Sequence, residues 1–210
     1  MKNIIKKNIE KIKPSATLVI NEKSKELSKQ GKKIFNFGFG QSPFPIPSSV
    51  VETLKNNAHK KEYLPIQGLK DLRCAISKNL TKKTGVKYLE ENIIITPGSK
   101  EAMLLMHVAF NGDILLPVPS WVSYEPQALI ANNKVHWIQT SRENNWFPTA
   151  TELKKKIKSI KSKKMILIIN SPNNPSGTVC KNLKEIAEVA KKYKIIILSD
   201  EIYTQLQFDE

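Results

Sequence analysis

Apolar positions recur along this chain with two different spacings. In Gly68 to Thr84, Leu69, Leu72, Ile76 and Leu80 fall at helical intervals and define one apolar stripe. Lys100 to Phe110, the segment WVSYEPQALIAN, Thr151 to Ser159 and Asn182 to Lys192 also read as helices, as does Ser48 to Asn57 after the turn-rich PIPSS. Thr149 or Thr151 caps the helix that starts there. Between these helices lie apolar runs of strand length: NIIIT, DILLPV, KVHWI, KMILII and KIIILS. MILII and IIIL are continuous rather than alternating, as expected of strands buried on both faces. Strand and helix in alternation mean βαβ units. The predicted fold is therefore α/β, with a mostly parallel sheet and helices on both faces.

The unusual residues fall at one kind of place. PGSK follows NIIIT, PSW follows DILLPV, NSPNNPSG begins where KMILII ends, and DEIY follows KIIILS. Each lies just past the carboxyl end of a strand. In a parallel sheet those ends share one edge, and ligands bind there.

The chemistry of the four segments differs. TPGSKEAM sets Gly98 and Ser99 at a strand-to-helix turn, where free N–H groups and the helix dipole favour a phosphate, although an ordinary capped turn has the same look. It is neither a Walker loop nor a GxGxxG turn. Trp121 at a strand end can stack on a flat ring or fill a core. In NSPNNPSG, two prolines followed by Ser-Gly stop both strand and helix, leaving a rigid loop that carries amides; its Asn174–Pro175 bond is a candidate for the cis form. Asp200 closes a strand expected to be buried, and a buried carboxylate needs a cationic partner, for which a protonated ring nitrogen would serve. Tyr203 can reach the same ligand with its hydroxyl.

Composition adds exclusions. Hydrophobic residues are 40% of the 210, enough for a real core. No apolar run approaches the roughly 20 residues of a membrane helix. The start, MKNIIKKNIEKIK, lacks the apolar stretch of a secretion signal; its Ile4, Ile5, Ile9 and Ile12 suit an arm packed on its own fold or on a partner subunit better than a membrane-surface helix. The charge of +15 raises nucleic acid as a partner. Yet all but Arg73 and Arg142 of the 34 basic residues are lysines, scattered without an aromatic stripe, and base readout favours arginine. Cys74 and Cys180 are expected to be reduced thiols, with no metal-ligand spacing and no disulfide framework.

Seven segments in order, IKPSAT, FGFGQSPFPIP, YLPIQGLKDLRCAI, TPGSKEAM, PVPSWVSY, NSPNNPSGTV and SDEIY, resemble the class I/II pyridoxal-phosphate-dependent aminotransferases of fold type I. The resemblance spans nearly the whole chain. It implies an N-terminal arm and the start of a small domain over 1–45, then an incomplete cofactor-binding large domain over 46–210. It implies pyridoxal 5'-phosphate as cofactor, with Gly98, Ser99 and Lys100 at the phosphate, Trp121 stacked on the ring, and Asn174 and Tyr203 on the phenolic oxygen. Asp200 pairs with the pyridinium nitrogen. Gly40, Trp121 and Asn174 meet the substrate, and Tyr63 reaches the phosphate of a neighbouring subunit, which implies a homodimer. The substrates implied are an amino acid and a 2-oxo acid, in a cytoplasmic enzyme of amino acid metabolism with no metal, nucleic acid or membrane partner. The family's Schiff-base lysine and its carboxylate-binding arginine match no position here and are expected beyond residue 210, so no catalytic residue is assigned and the isolated chain is expected to be inactive. Carbon–sulfur lyases and decarboxylases share these cofactor residues, and a non-catalytic remnant is a further alternative.

Overall fold

The computed structural model describes residues 4–206 apart from 11, 36, 38, 39, 41 and 43, and leaves the side chain of residue 16 undescribed. It contains two compact units: Met1–Lys13 with Ser99–Glu210, and Pro14–Gly98.

In chain order the elements are α1 (Lys7–Glu10), α2 (Ala16–Lys29), α3 (Ser48–Asn57), α4 (Lys70–Thr84), α5 (Ser99–Ala109), β1 (Asp113–Val118), α6 (Tyr124–Ile130), β2 (Val135–Gln139), α7 (Ala150–Lys158), β3 (Met165–Asn170), α8 (Leu183–Tyr193) and β4 (Ile196–Asp200). The four strands form one sheet in the order β2-β1-β3-β4. Every pairing is parallel.

Strand residues two apart share a face, and the core divides accordingly. Leu115, Leu167 and Ile169 turn to one side, where they meet Leu153 and Ile157 of α7 and Ile186, Val189 and Ala190 of α8. Ile114, Leu116, Ile166 and Ile168 turn to the other side, against Met103 of α5 and Tyr124 and Ala128 of α6. The continuous apolar runs are thus accounted for: β3 is buried along its whole length, with helices on both faces. A capping box starts α7, where the Thr149 hydroxyl accepts from the Glu152 N–H at 3.2 Å and the Glu152 carboxylate accepts from the Thr149 N–H at 2.8 Å. The N-terminal arm is tied to the same unit by Asn8, whose Nδ2 donates to the Leu129 carbonyl at the end of α6 at 2.7 Å. Its helix is only the four residues of α1, and Ile4 is 95% exposed.

One expectation is corrected. NIIIT is not a sheet strand: after a 3₁₀ turn at Glu90–Asn92 the backbone is extended at Ile93, but the sheet contains β1 to β4 alone among the described residues. The Ile95 N–H bonds instead to the Gln67 carbonyl at 3.0 Å. The helix expected over Gly68 to Thr84 is present as α4; Ile76 and Leu80 of its apolar stripe are partly buried, Leu69 and Leu72 stay about half exposed, and Arg73 is the buried residue of that helix. The Arg73 guanidinium reaches the carbonyls of Gly68 and Glu90, so in the Pro14–Gly98 unit a long polar side chain links the segments flanking α4.

Candidate active site

The strand order creates the site. From β1 the chain passes outward to β2, then returns to the far side of β1 to form β3. Such a reversal opens a crevice between the carboxyl ends of the two strands. Pro119 to Trp121 leave β1 there, and the proline loop leaves β3 beside them. The peptide bonds Val118–Pro119, Ser171–Pro172 and Asn174–Pro175 are cis. The loops are joined by Asn173, whose Nδ2 donates to the Pro119 carbonyl at 3.4 Å and to the Ser176 hydroxyl at 2.8 Å.

Asp200 ends β4 and is 8% exposed. Its Oδ2 accepts a 2.7 Å hydrogen bond from the Tyr124 hydroxyl, and its Oδ1 a long 3.3 Å bond from the Ile202 N–H. None of the ion pairs among the described residues includes Asp200. A carboxylate has about four acceptor positions, so capacity remains for another donor. Burial, then the hydrogen bond and charge of Asp200, hold the Tyr124 hydroxyl neutral well above the usual tyrosine range.

Several of the residues singled out in the sequence meet in pairs. Asn174 Nδ2 donates to the Tyr203 hydroxyl at 3.3 Å, which brings those two polar groups together. A cavity of about 290 Å³ is lined by Ser99, Ala102, Met103 and the segment Leu198 to Ile202, so the first turn of α5 and the end of β4 share one hollow. The first N–H groups of a helix have no partner within it, and here they belong to Ser99 and its neighbours. Gly98 just before them has φ +128°, a conformation open to glycine and hardly to other residues. Lys100 places its ammonium 5.5 Å from the centre of the Trp121 ring, and its carbonyl accepts from Gln127 Nε2 at 2.7 Å. Gly40, Tyr63 and Gly98 belong to the Pro14–Gly98 unit, where Gly40 and Tyr63 are exposed. Gly38, Phe39, Gln41 and Pro43 of FGFGQSPFPIP lie outside the described residues.

The sequence profile of the family "Aminotransferase class I and II" matches residues 32–210. The chain belongs to this family. It is 33% identical over 216 residues to the aspartate aminotransferase of Bacillus sp. (strain YM-2), a match covering 100% of this chain and 54% of that protein. It is 34% identical to the probable aspartate/prephenate aminotransferase of Rickettsia typhi, covering 99% of this chain and 53% of the relative. Among solved structures, Thermus thermophilus aspartate aminotransferase with maleate superposes with a TM-score of 0.88 at 29% identity, over 99% of this chain and 56% of that one. The chain thus spans about half the length of the aminotransferases it matches. The fold is the α/β fold of these pyridoxal-dependent transferases, incomplete relative to them.

Two residues at this site escaped the reading of the sequence. Tyr124 lies three residues after Trp121, and the start of α6 turns the two rings edge to face, 5.4 Å apart at 82°. That spacing was visible in PSWVSY, but nothing in it tells that the tyrosine reaches a residue 76 positions away. Asn170 is the polar end of an otherwise apolar buried strand, a signal that the proline loop beside it masks.

Proposed function

We propose that the chain forms the cofactor-gripping part of a pyridoxal 5'-phosphate-dependent aminotransferase that moves an amino group between an amino acid and a 2-oxo acid. The observation that carries this is Asp200, a buried carboxylate held by a neutral hydroxyl, with no ion-pair partner among the described residues. Burying such a charge is costly unless a cation arrives to match it. A pyridinium N–H fits that need.

The residues present suit the rest of the cofactor as well. Asn174 Nδ2 and the Tyr203 hydroxyl, already within hydrogen-bond reach of one another, would donate to the phenolic oxygen. The first turn of α5, with Gly98, Ser99 and Lys100, would receive the phosphate through backbone N–H groups and the positive end of the helix dipole. Trp121 would cover one face of the ring. When bound, the cofactor supplies an electron sink for charge that develops on the substrate. The work of Asp200 is to keep the proton on the ring nitrogen, and a buried carboxylate in low dielectric does this more strongly than one in water. Gly40, Trp121 and Asn174 would meet the substrate. A homodimer, with the exposed Tyr63 reaching the phosphate held by a second copy, and a cytoplasmic place of action belong to the same proposal.

The test uses pyridoxamine 5'-phosphate, which has no aldehyde to react with the many surface lysines. Saturable binding to the 210-residue chain, weakened by Asp200→Asn and competed only weakly by inorganic phosphate, is expected. Binding indifferent to Asp200→Asn would refute the proposal. The 210-residue chain assayed alone with an amino acid, a 2-oxo acid and cofactor is expected to show no turnover above that of free cofactor.

A further inference from the structure

We infer that Asn170 is a positioning residue that locks Asn174 and Asp200 to each other, and so sets the alignment of the two groups that would grip the ring. The inference rests on the pyridoxal reading above.

Asn170 is the last residue of β3, pairs in register with Asp200, and is 6% exposed. Beyond it β3 turns into the proline loop, and the ladder with β4 would end there. The side chain extends it. Asn170 Nδ2 donates to the Asp200 carbonyl at 2.9 Å, alongside the Ser171 N–H, which reaches the same oxygen at 3.3 Å. Asn170 Oδ1 accepts from the Asn174 N–H at 2.7 Å. One partner is a carbonyl and the other an N–H, so only one orientation of the amide satisfies both.

A single planar amide therefore spans the gap between the backbones of Asn174 and Asp200. The Asn174 side chain continues the chain of contacts to Tyr203, and the Asp200 side chain continues it to Tyr124. Removing the Asn170 amide frees Asn174 to move with its loop and Asp200 to move with the end of β4. A shift well under 1 Å is enough to spoil hydrogen bonds to a rigid ring. A side chain that only stabilised the fold would not couple these two positions.

The experiment compares wild type, Asn170→Ala, Asn170→Asp and Asn182→Ala. Asn182 serves as control because its Nδ2 donates a similar 2.9 Å bond to the Pro148 carbonyl and its hydrogen bonds go to neither Asn174 nor Asp200. Two ligand readouts are taken with pyridoxamine 5'-phosphate: affinity, and the pH at which the absorption of the bound ring reports loss of its nitrogen proton. Backbone amide exchange at Asn174 is the ligand-free readout. Asn170→Ala is expected to bind about tenfold more weakly, the low end of what loss of an orienting hydrogen bond costs at a held ligand. Its ring proton is expected to leave at lower pH than in wild type, and the Asn174 amide to exchange faster. Asn170→Asp keeps the acceptor for the Asn174 N–H but sets a carboxylate oxygen against the Asp200 carbonyl, so it is expected to preserve slow exchange at Asn174 while losing affinity. Its added negative charge itself favours the ring proton, so the ring titration is read in Asn170→Ala alone. If Asn170→Ala does not fold, Asn170→Asp alone decides through its affinity, with slow exchange at Asn174 showing that the fold is kept.

Wild-type affinity in the Asn170 variants, with wild-type ring titration in Asn170→Ala, would overturn the inference and leave the pyridoxal reading standing. So would an equal loss of both in Asn182→Ala. Failure of wild type itself to bind the ligand would overturn the reading, and the inference with it.

Discussion

The Tyr124 hydroxyl and the Asp200 carboxylate, 76 residues apart in sequence, meet in a buried 2.7 Å hydrogen bond that links the start of α6 to the end of β4. A bond to a charged group contributes about 1.5–3 kcal/mol. Tyr124→Phe keeps the ring and removes the bond, so the unfolding midpoint should drop by roughly 2–4 °C for each kcal/mol lost at this chain length. The pH dependence has a definite sign. The folded hydroxyl holds its proton above the ordinary tyrosine range, whereas the unfolded one releases it near about 10. The bond's contribution is therefore complete below that pH and is lost as pH rises above it. The stability gap between wild type and Tyr124→Phe should narrow in alkali. A gap that widens would contradict the hydrogen bond.

Asp200→Asn tests charge at nearly constant shape. The amide can still sit against the Tyr124 hydroxyl, but it offers no negative charge to a ring N–H. The loss expected in pyridoxamine 5'-phosphate affinity is about ten- to hundredfold, from a charged hydrogen bond worth about 1.5–3 kcal/mol. The apo protein should at the same time become no less stable, because a buried charge without a counter-ion has been removed. Calorimetric titration of both proteins, with their melting curves, checks the two halves of this prediction.

The sheet was legible because β1 and β3 are buried on both faces and so carry continuous apolar runs, and because helix patterns separate the strands. The shared edge followed from that alternation alone. Three of the four predicted segments do leave the ends of paired strands: Trp121 after β1, Asn174 after β3, and Tyr203 after β4. NIIIT misled because Ile93 to Ile95 have strand composition and an extended start, while sheet membership depends on a neighbour that composition cannot report. The links within the site were not legible. Asn170 and Tyr124 act through partners 30 and 76 residues away, and such pairs are set by strand order and register, which a single sequence does not display.

The α5–β1 turn offers a purely steric prediction. A Cβ added at Gly112 would lie 2.5 Å from the Lys164 carbonyl oxygen and 2.6 Å from the Phe110 ring. The first of these belongs to the backbone, which also receives the Asp113 N–H at 3.0 Å. Gly112→Ala should therefore cost about 1–3 kcal/mol, the usual penalty for overpacking. Urea unfolding of the variant should show a lower midpoint with an unchanged slope. An unchanged midpoint would mean that the turn relaxes freely.

His107 gives the fold a sensitivity to acid. It lies on α5, is 1% exposed, and neither ring nitrogen has a hydrogen-bond partner among the described residues. Burial lowers its pKa, since the imidazolium would lose its hydration without gaining an acceptor. In the unfolded chain the same ring takes up a proton near about 6.5. Below that pH the unfolded state binds more protons than the folded one, so stability falls as pH drops, until the folded ring is protonated as well. Above it His107 contributes no slope. His107→Leu replaces the unsatisfied ring by an apolar side chain. Its melting temperature should decline less than that of wild type between pH 7 and pH 5. At pH 7 the two should be close, because burying a polar ring without partners is itself costly and its removal offsets the misfit of a branched side chain in a space shaped for a flat ring. Parallel acid declines in the two proteins would show that other groups carry the titration and that the folded His107 ring has an acceptor.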